Sequence, residues 1–305
     1  MAVLDIFLVI LVAGLLVRRR LISQSHITGL STVTVVVFLP CLIFSNVIKS
    51  LDPGALPYWW VIPLVAAAMP AVGLALATLL LELPAKKNVL PLASMQNAGY
   101  LVLPVGLKLF PDQFDTFALY CFLFILGFNP VLWSVGKLLS TAGQDSQNGW
   151  KGLVTPPLLA NLAAIACVLS GAASLIPDTV LNAVELLGRA AVPVATFILG
   201  AVLGSITLRI RPHLGDALRT LTIKLLLLPL ITILIVLAID LQASNQLLAK
   251  FFVIEAAAAP AAGIILMVRS YGGDEQKIGS LMLLSYIVCT LTLPFWVAVW
   301  EVLVS

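Results

Sequence analysis

The sequence predicts an all-α membrane protein that crosses the bilayer many times, and three observations carry this prediction. Of the 305 residues, 61% are hydrophobic and only 10% are charged, with a mean hydropathy of +1.11. Soluble domains contain about 25% charged residues, so a soluble protein is excluded. The apolar residues form long runs, most of them near the roughly 20 residues that a membrane helix needs. None of the runs shows the alternation typical of a membrane-barrel strand.

Ten apolar runs can be distinguished, and they are called segments 1 to 10. With short connections and about 20 residues per span, a chain of this length has room for about this number of helices. In chain order the segments cover about residues 3–17, 28–48, 58–81, 88–110, 114–139, 151–170, 179–204, 215–240, 247–269 and 279–303.

The basic residues predict how segment 1 and the rest of the chain are oriented. Segment 1 is followed by Arg18–Arg20 and preceded by no basic residue, which is the reverse of the charge order in a secretory signal peptide. Twelve of the 17 Lys and Arg residues lie in connections after odd-numbered segments, and Lys49, Lys108 and Lys250 lie on the other side. Because cytoplasmic loops collect positive charge, we expect both termini on the extracytoplasmic side of the cell (inner) membrane.

The prolines indicate two related halves of five segments each. Because five is an odd number, the second half would be inverted in the membrane relative to the first, which is typical of secondary transporters. Proline is also common in membrane helices generally, so chance is the alternative explanation. The predicted boundaries are residues 1–140 for the first repeat, 141–150 for a cytoplasmic connection and 151–305 for the second repeat. The matching pairs are Pro40 with Pro193, Pro70 with Pro229, Pro104 with Pro260, and Pro130 with Pro294.

Segments 4 and 9 contain the predicted functional site. Polar residues and glycine precede Pro104, and small residues surround Pro260. Proline removes a backbone hydrogen bond, so we expect both helices to unwind near these prolines and to cross there. Each proline would then open the second half of its helix. Two positive helix N-termini would favour an anion at this point, and Asn97 would bind its carboxylate through a neutral amide.

Two charged residues inside the predicted spans are candidates for a functional role, because such residues are rare in membrane helices. Glu255 in segment 9 is a candidate for coupling transport to protons or sodium, with a structural pair to Lys224 as the alternative. Lys224 in segment 8 is expected to extend to the membrane interface, with attraction of an anionic substrate as the alternative. Glu185 and Arg189 are expected to form a helical ion pair, because they are four residues apart.

The glycine pair Gly200-x-x-x-Gly204 in segment 7 predicts a close approach between helices. It could pack across a dimer or within one subunit. The cysteines lie inside apolar runs without the spacing of metal ligands, so no metal site or other cofactor is expected. They are Cys41, Cys121, Cys167 and Cys289.

Several motifs, taken in order, resemble the auxin efflux carrier family. The stretch from Asn97 to Pro104 is similar to the Asn-x6-Pro signature of the family's fourth helix. The family includes plant auxin exporters and bacterial carriers assigned to malonate-like acids, and the resemblance covers nearly the whole chain. The other similar motifs are Phe38-Leu39-Pro40, Ala190-Ala191-Val192-Pro193 with Gly200, and Ala259-Pro260 followed by Tyr271-Gly272-Gly273-Asp274.

The resemblance implies a carrier for a small organic anion, built as a 5+5 inverted repeat with broken, crossing helices 4 and 9. Segments 1, 2, 6 and 7 would form a scaffold that dimerises through segments 2 and 7, so a dimer contact is preferred for the Gly200 motif. Segments 3–5 and 8–10 would form a transport domain that moves as an elevator. The short middle connection differs from the plant exporters and favours a bacterial-type carrier. The substrate-binding residues would be Asn97, Gly99, Tyr100, Pro104, Ala259, Pro260 and Ala261.

Other functions have weaker support in the sequence. An enzyme is disfavoured because the chain lacks G-x-S-x-G, H-E-x-x-H and paired aspartates within a span. A channel would need a continuous polar stripe, and a nucleic-acid protein would need a basic patch, which the dispersed net charge of +3 does not provide. A sodium-coupled symporter of the bile-acid type and a non-transporting sensor of the same fold remain as alternatives.

Overall fold

The computed structural model describes residues 2–80, 87–140, 154–208, 213–271 and 273–304. All regular structure in these ranges is helical, which confirms the all-α prediction. The predicted connection 141–150 lies outside the described residues, as do Lys86, Lys151, Arg209 and Arg211 of the predicted cytoplasmic loops and Gly272 of the last family motif.

The described ranges contain α-helices of very different lengths, several of them joined by short π-helical turns. The first eight are α1 (Ala2–Arg18), α2 (Gln24–Val33), α3 (Leu39–Ser50), α4 (Val61–Leu80), α5 (Leu90–Ser94), α6 (Leu103–Leu109), α7 (Phe114–Val131) and α8 (Lys137–Ser140). The others are α9 (Pro156–Leu169), α10 (Asp178–Gly188), α11 (Ala191–Gly204), α12 (Leu214–Leu221), α13 (Leu228–Ala238), α14 (Leu241–Ser244), α15 (Gln246–Ala257), α16 (Gly263–Tyr271) and α17 (Glu275–Val304). The π-helical turns are Thr34–Phe38, Ala98–Val102, Leu132–Gly136 and Thr222–Leu227.

Six helical stretches in the described ranges are long and apolar enough to cross a membrane. Two further apolar helices, Ala98–Leu109 and Pro156–Leu169, are shorter. This finding supports a multi-pass membrane protein, whereas ten spans in two inverted halves stay a prediction. The six stretches are Gln24–Ser50, Val61–Leu80, Pro111–Ser140, Asp178–Gly204, Leu214–Ala238 and Glu275–Val304.

Three of the π-helical turns lie immediately before a Leu-Pro pair. Proline clashes with the carbonyl four residues earlier, and a π turn relieves this clash because its hydrogen bonds reach back five residues. The N–H of Leu39 bonds to the oxygen of Thr34, and the N–H of Leu228 bonds to that of Ile223. These prolines therefore widen their helices without ending them. The three pairs are Leu39-Pro40, Leu103-Pro104 and Leu228-Pro229.

The helices pack most closely in a few combinations. α1 lies along α11, and α3 packs against α9 and α10. Elsewhere α4 packs on α7, while α15 packs between α13 and α17. Phe251 of α15 meets Phe117 and Phe124 of α7 edge-on, with ring centroids 5.5 and 5.8 Å apart. Such edge-to-face contacts are favourable, so they hold the first half of segment 9 against segment 5.

The close-approach motif of segment 7 packs inside the subunit. A Cβ on Gly204 would lie 2.4 Å from Cα of Gly14, and one on Gly200 would lie 2.3 Å from the oxygen of Ile10. Glycine at these positions allows the backbones of α1 and α11 to touch. The preference for a dimer contact at this motif is therefore wrong, because α1 of the same chain packs against both of its glycines.

Candidate functional site

Segment 4 is interrupted between α5 and the helical run that begins at Ala98. Met95 has an extended backbone (φ −103°, ψ 131°), and the Oδ1 of Asn97 accepts a hydrogen bond from the N–H of Tyr100 at 3.2 Å. Asparagine is a preferred N-cap because its side chain satisfies a free N–H of the first turn. Asn97 therefore marks the start of the second helical run. The prediction that Pro104 opens this run is wrong, since Pro104 is the second residue of α6, beyond the π turn.

Segment 9 is interrupted over residues 258–262, between α15 and α16. Ala258 has an extended backbone (φ −65°, ψ 148°), and Pro260 lies in the middle of the interruption. The prediction that Pro260 opens the second half-helix is therefore also wrong, because that helix begins at Gly263. The physical reason is found in the pairing of this stretch with segment 4.

The two interruptions are bonded to each other. The N–H of Asn97 donates to the oxygen of Ala259 at 3.1 Å, and the N–H of Ala261 donates to the oxygen of Met95 at 3.1 Å. These bonds form an antiparallel bridge in which Gln96 faces Pro260. The facing residues form a non-hydrogen-bonded pair, which needs no N–H from the proline. Unwound backbone inside a membrane protein requires such partners, and each interruption supplies them to the other.

Tyr286 of α17 joins the bridge through its hydroxyl group. The Nδ2 of Asn97 donates to the Tyr286 oxygen, and the Tyr286 hydroxyl donates to the backbone oxygen of Pro260 at 2.9 Å. Both side chains are buried, with 3% and 2% of their surface exposed. Tyr286 is not among the predicted site residues. Its signal in the sequence is a tyrosine in the middle of an apolar run, whereas membrane tyrosines are enriched near the ends of helices.

Lys224 is fully buried, and its ammonium group donates to the backbone oxygen of Ala256 at 2.9 Å. The prediction that this side chain extends to the membrane interface is therefore wrong. Ala256 lies in the last turn of α15, where unpaired carbonyl groups attract a positive charge. The partner of the Lys224 ammonium group is therefore a backbone carbonyl inside the protein, which the sequence does not identify.

Glu255 and Gln96 are fully buried polar residues with unused hydrogen-bonding capacity. Among the described residues, neither carboxylate oxygen of Glu255 and neither amide atom of Gln96 has a hydrogen-bond partner. The structural pair between Glu255 and Lys224, the alternative drawn from the sequence, is thus absent as a hydrogen bond, although Lys224 binds the residue next to Glu255. Nearby, the Sγ of Cys289 donates to the oxygen of Ala257 at 3.6 Å. Gln96 and Cys289 are not among the predicted site residues, since the burial of Gln96 and the contact of Cys289 both depend on tertiary packing.

The other predicted site residues lie around the bridge. Ala259 and Ala261 take part in its hydrogen bonds and are buried. Gly99 and Tyr100 are half-buried and line a narrow cavity that faces α11, and the Tyr100 hydroxyl lies near Ser31 of α2. Pro104 is buried at the start of α6. The structure thus brings Asn97 together with the segment 9 residues, whereas Tyr100 points towards α2.

The predicted ion pair of segment 7 is confirmed. Arg189 donates to Glu185 at 3.0 Å, and the other oxygen of Glu185 binds Lys49 of α3 at 2.5 Å. The carboxylate therefore links α10 to α3 in addition to its own helix. Arg189 keeps 72% of its side chain exposed, so the pair belongs to the surface and not to the bridge.

The hydrogen-bond donors at the bridge are of the kind that can bind a small anion. It combines a helix N-terminus, a neutral amide and a hydroxyl group in a buried setting, and these donors bind a carboxylate without a second full charge. No group of three or more His, Cys, Asp or Glu side chains suited to a metal ion is found in the ranges that the structure describes.

Comparison with known proteins gives one match over almost the whole length. Residues 1–297 match the sequence model of a family described as membrane transport protein. No curated protein sequence matches the chain.

Proposed function

We propose that this chain, which belongs to the membrane transport protein family, is a secondary transporter of a small organic anion. The family includes the auxin efflux carriers. Membership confirms the resemblance drawn from the motifs. It makes the protein a membrane transporter of a family that is not enzymatic. The substrate, its binding residues, the coupling ion and the mechanism are argued from the bridge.

The single observation that carries the proposal is the hydrogen-bonded bridge between the two interruptions, with Asn97 at its edge. Discontinuous membrane helices are where secondary transporters bind substrates and coupling ions. The positive end of the helical run that begins after Asn97 favours the negative charge of a carboxylate. We therefore assign the substrate carboxylate to Asn97, with Ala259, Pro260 and Ala261 in the interruption of segment 9 that faces it.

The polar groups at the bridge are suited to the reversible binding of a carboxylate during a transport cycle. Within the bridge the Asn97 amide donates to Tyr286. A carboxylate oxygen would replace this internal bond by accepting from the amide and the hydroxyl group together. Because neither donor carries a full charge, binding exchanges neutral internal hydrogen bonds for charge-assisted bonds to the carboxylate, without forming a salt bridge. Each such bond contributes about 1.5–3 kcal/mol, which allows release.

Glu255 is proposed as the coupling group, with Lys224 as its electrostatic partner. A buried carboxyl group without a hydrogen-bond partner can bind a proton or a sodium ion when its surroundings change. Lys224 holds the oxygen of Ala256, which lies between Glu255 and the interruption at residues 258–262. Ion binding at Glu255 would therefore act on the same short stretch that forms the bridge.

The proposed mechanism is elevator-type alternating access by ten spans arranged as two inverted repeats. The close packing of α1 with α11 and of α3 with α9 and α10 supports a scaffold of segments 1, 2, 6 and 7. The packing of α4 with α7 and of α15 with α13 and α17 supports a separate transport domain. We further propose a homodimer through segments 2 and 7, and a location in the cell membrane with both termini outside.

Uptake of labelled organic acids into proteoliposomes tests the proposal. Asn97→Ala should raise the KM of a transported acid about tenfold or more, because loss of a buried hydrogen bond to a charged group costs about 1.5–3 kcal/mol. Asn161→Ala is the matched control, since Asn161 is a buried amide that donates to Phe122 outside the bridge. Unchanged KM in Asn97→Ala would remove this residue from the site. Acid binding without flux in the wild type would favour the sensor.

A further inference from the structure

A groove of about 490 Å³ lies between α1, α11 and α17. It extends along α1 from Phe7 to Arg18, which corresponds to about 16 Å at the rise of an α-helix. Gly14, Gly200 and Gly204 line its floor, where α1 and α11 touch backbone to backbone. The wall opposite these glycines is formed by α17. The groove therefore exists because α1 packs tightly on one neighbour and stands apart from the other.

The groove opens towards the surroundings of the protein. Leu8 and Leu11 on one rim are 56% and 55% exposed, and Ile287 on the other rim is 52% exposed. The lining is almost entirely apolar, with Tyr286 and Thr290 as the polar exceptions on α17. In a membrane helix, exposed leucine and isoleucine face lipid chains. A long apolar groove on such a surface has the shape and chemistry of an acyl-chain site.

Positive charge is concentrated at one end of this groove. Arg18 lines the groove, and Arg19 and Arg20 follow it directly, all three exposed. The Nε of Arg18 donates to the oxygen of Gly204 at 3.4 Å, which keeps its guanidinium at the end of the groove. Guanidinium groups bind phosphate oxygens with two parallel hydrogen bonds. Basic clusters next to membrane helices attract anionic lipids, by about fivefold in affinity per residue.

We propose that the groove binds one acyl chain of an anionic phospholipid whose phosphate lies on Arg18 and its neighbours. The two features are independent, since the groove is made by helix packing and the charge by the last residue of α1 and the two residues that follow it. The groove would select the acyl chain of the lipid, and the arginines would select its anionic head group. A zwitterionic phospholipid also presents a phosphate to the guanidinium, but the cation of its head group offsets the attraction of the three arginines. The site adds to the proposed transport function and does not depend on it.

Native mass spectrometry of the purified full-length protein with dioleoyl phosphatidylglycerol or dioleoyl phosphatidylcholine tests the proposal. We expect a preference for phosphatidylglycerol of about fivefold or more in the wild type. Arg18→Gln should reduce phosphatidylglycerol binding about fivefold and phosphatidylcholine binding by a smaller factor. Arg189→Gln is the matched control, because Arg189 is an exposed arginine that does not line the groove. Ile287→Trp should reduce binding of both lipids by narrowing the groove.

Leu291→Trp controls for the bulk of the indole ring, since Leu291 is 77% exposed on the same helix and does not line the groove. It should leave both lipids bound as in the wild type. Equal binding of the two lipids in the wild type would overturn the proposal. The same follows if Arg18→Gln and Ile287→Trp behave like their controls. Binding of oleate without binding of phosphatidylglycerol would assign the groove to single-chain acids instead.

Discussion

At the scale of single residues, the bridge depends on a few side chains that form hydrogen bonds with one another and with the backbone. Asn97 uses its oxygen to cap the helix and its nitrogen to bond Tyr286. Tyr286 in turn holds the carbonyl of Pro260 at 2.9 Å. One hydroxyl group thus connects both interruptions to α17. Its removal should affect substrate binding without removing any aromatic packing.

The first prediction concerns Tyr286→Phe. The substitution removes the hydroxyl group proposed to donate to the substrate carboxylate, and a hydrogen bond to a charged group contributes about 1.5–3 kcal/mol. The KM for the transported acid should therefore rise about tenfold or more. Tyr120→Phe is the control, because Tyr120 is also buried and bonds Asn245 away from the bridge. Proteoliposome uptake gives both KM values. Equal KM values for the two variants would exclude Tyr286 from the site.

The second prediction concerns Glu255→Gln. A glutamine keeps the shape of the side chain but cannot exchange a proton and binds cations weakly. Uptake driven by an imposed pH or sodium gradient should therefore fall to the level of passive exchange. Glu301→Gln should keep gradient-driven uptake, since Glu301 is half-exposed and paired with Lys250. If Glu255→Gln also keeps gradient-driven uptake, Glu255 is structural.

The sequence predicts the residues of the site only as far as local signals reach. Asn97 and the alanines around Pro260 can be identified because a polar residue and small residues near proline are visible in one stretch of chain. Tyr286 and Gln96 cannot, because their roles follow from contacts between distant segments. The predicted position of Pro104 is wrong for a similar reason, since the cap at Asn97 and the π turn after it decide where the helix begins.

At the scale of helices, segments 1 and 7 show how sequence and packing are related. The glycine motif predicts a close approach but cannot name the partner. In the structure the partner is α1, whose Gly14 fits between Gly200 and Gly204. The choice follows from shape, because two smooth glycine surfaces allow the closest contact between helices. The contact also forms the floor of the proposed lipid groove.

The third prediction concerns Gly204→Ala. The new Cβ would lie 2.4 Å from Cα and oxygen of Gly14, so α1 and α11 must separate. Such overpacking costs about 1–3 kcal/mol, and the melting temperature in detergent should fall by several degrees. Gly29→Ala is the control, because a Cβ added to Gly29 on α2 would point into open space. A melting temperature that is equally unchanged in both variants would contradict the packing of α1 on α11.

At the scale of the whole molecule, composition alone predicts the class of the protein. The bilayer requires long apolar helices with internal hydrogen bonds, and this requirement is visible in hydropathy. The division into a scaffold and a transport domain is not visible in the same way, because it depends on which helices move together. Two ion pairs between helices allow a test. Lys108 of α6 binds Asp5 of α1 at 3.2 Å, and Lys250 of α15 binds Glu301 of α17 at 2.8 Å.

The fourth prediction concerns a cross-link between α1 and α6. The elevator mechanism requires α6 to move past α1, so a short thiol-reactive cross-linker joining Asp5→Cys to Lys108→Cys should abolish transport. The control joins Lys250→Cys to Glu301→Cys, which lie within the proposed transport domain. The control should keep its transport rate, because α15 and α17 would move together. Full transport by the protein cross-linked between α1 and α6 would exclude a sliding motion at this boundary.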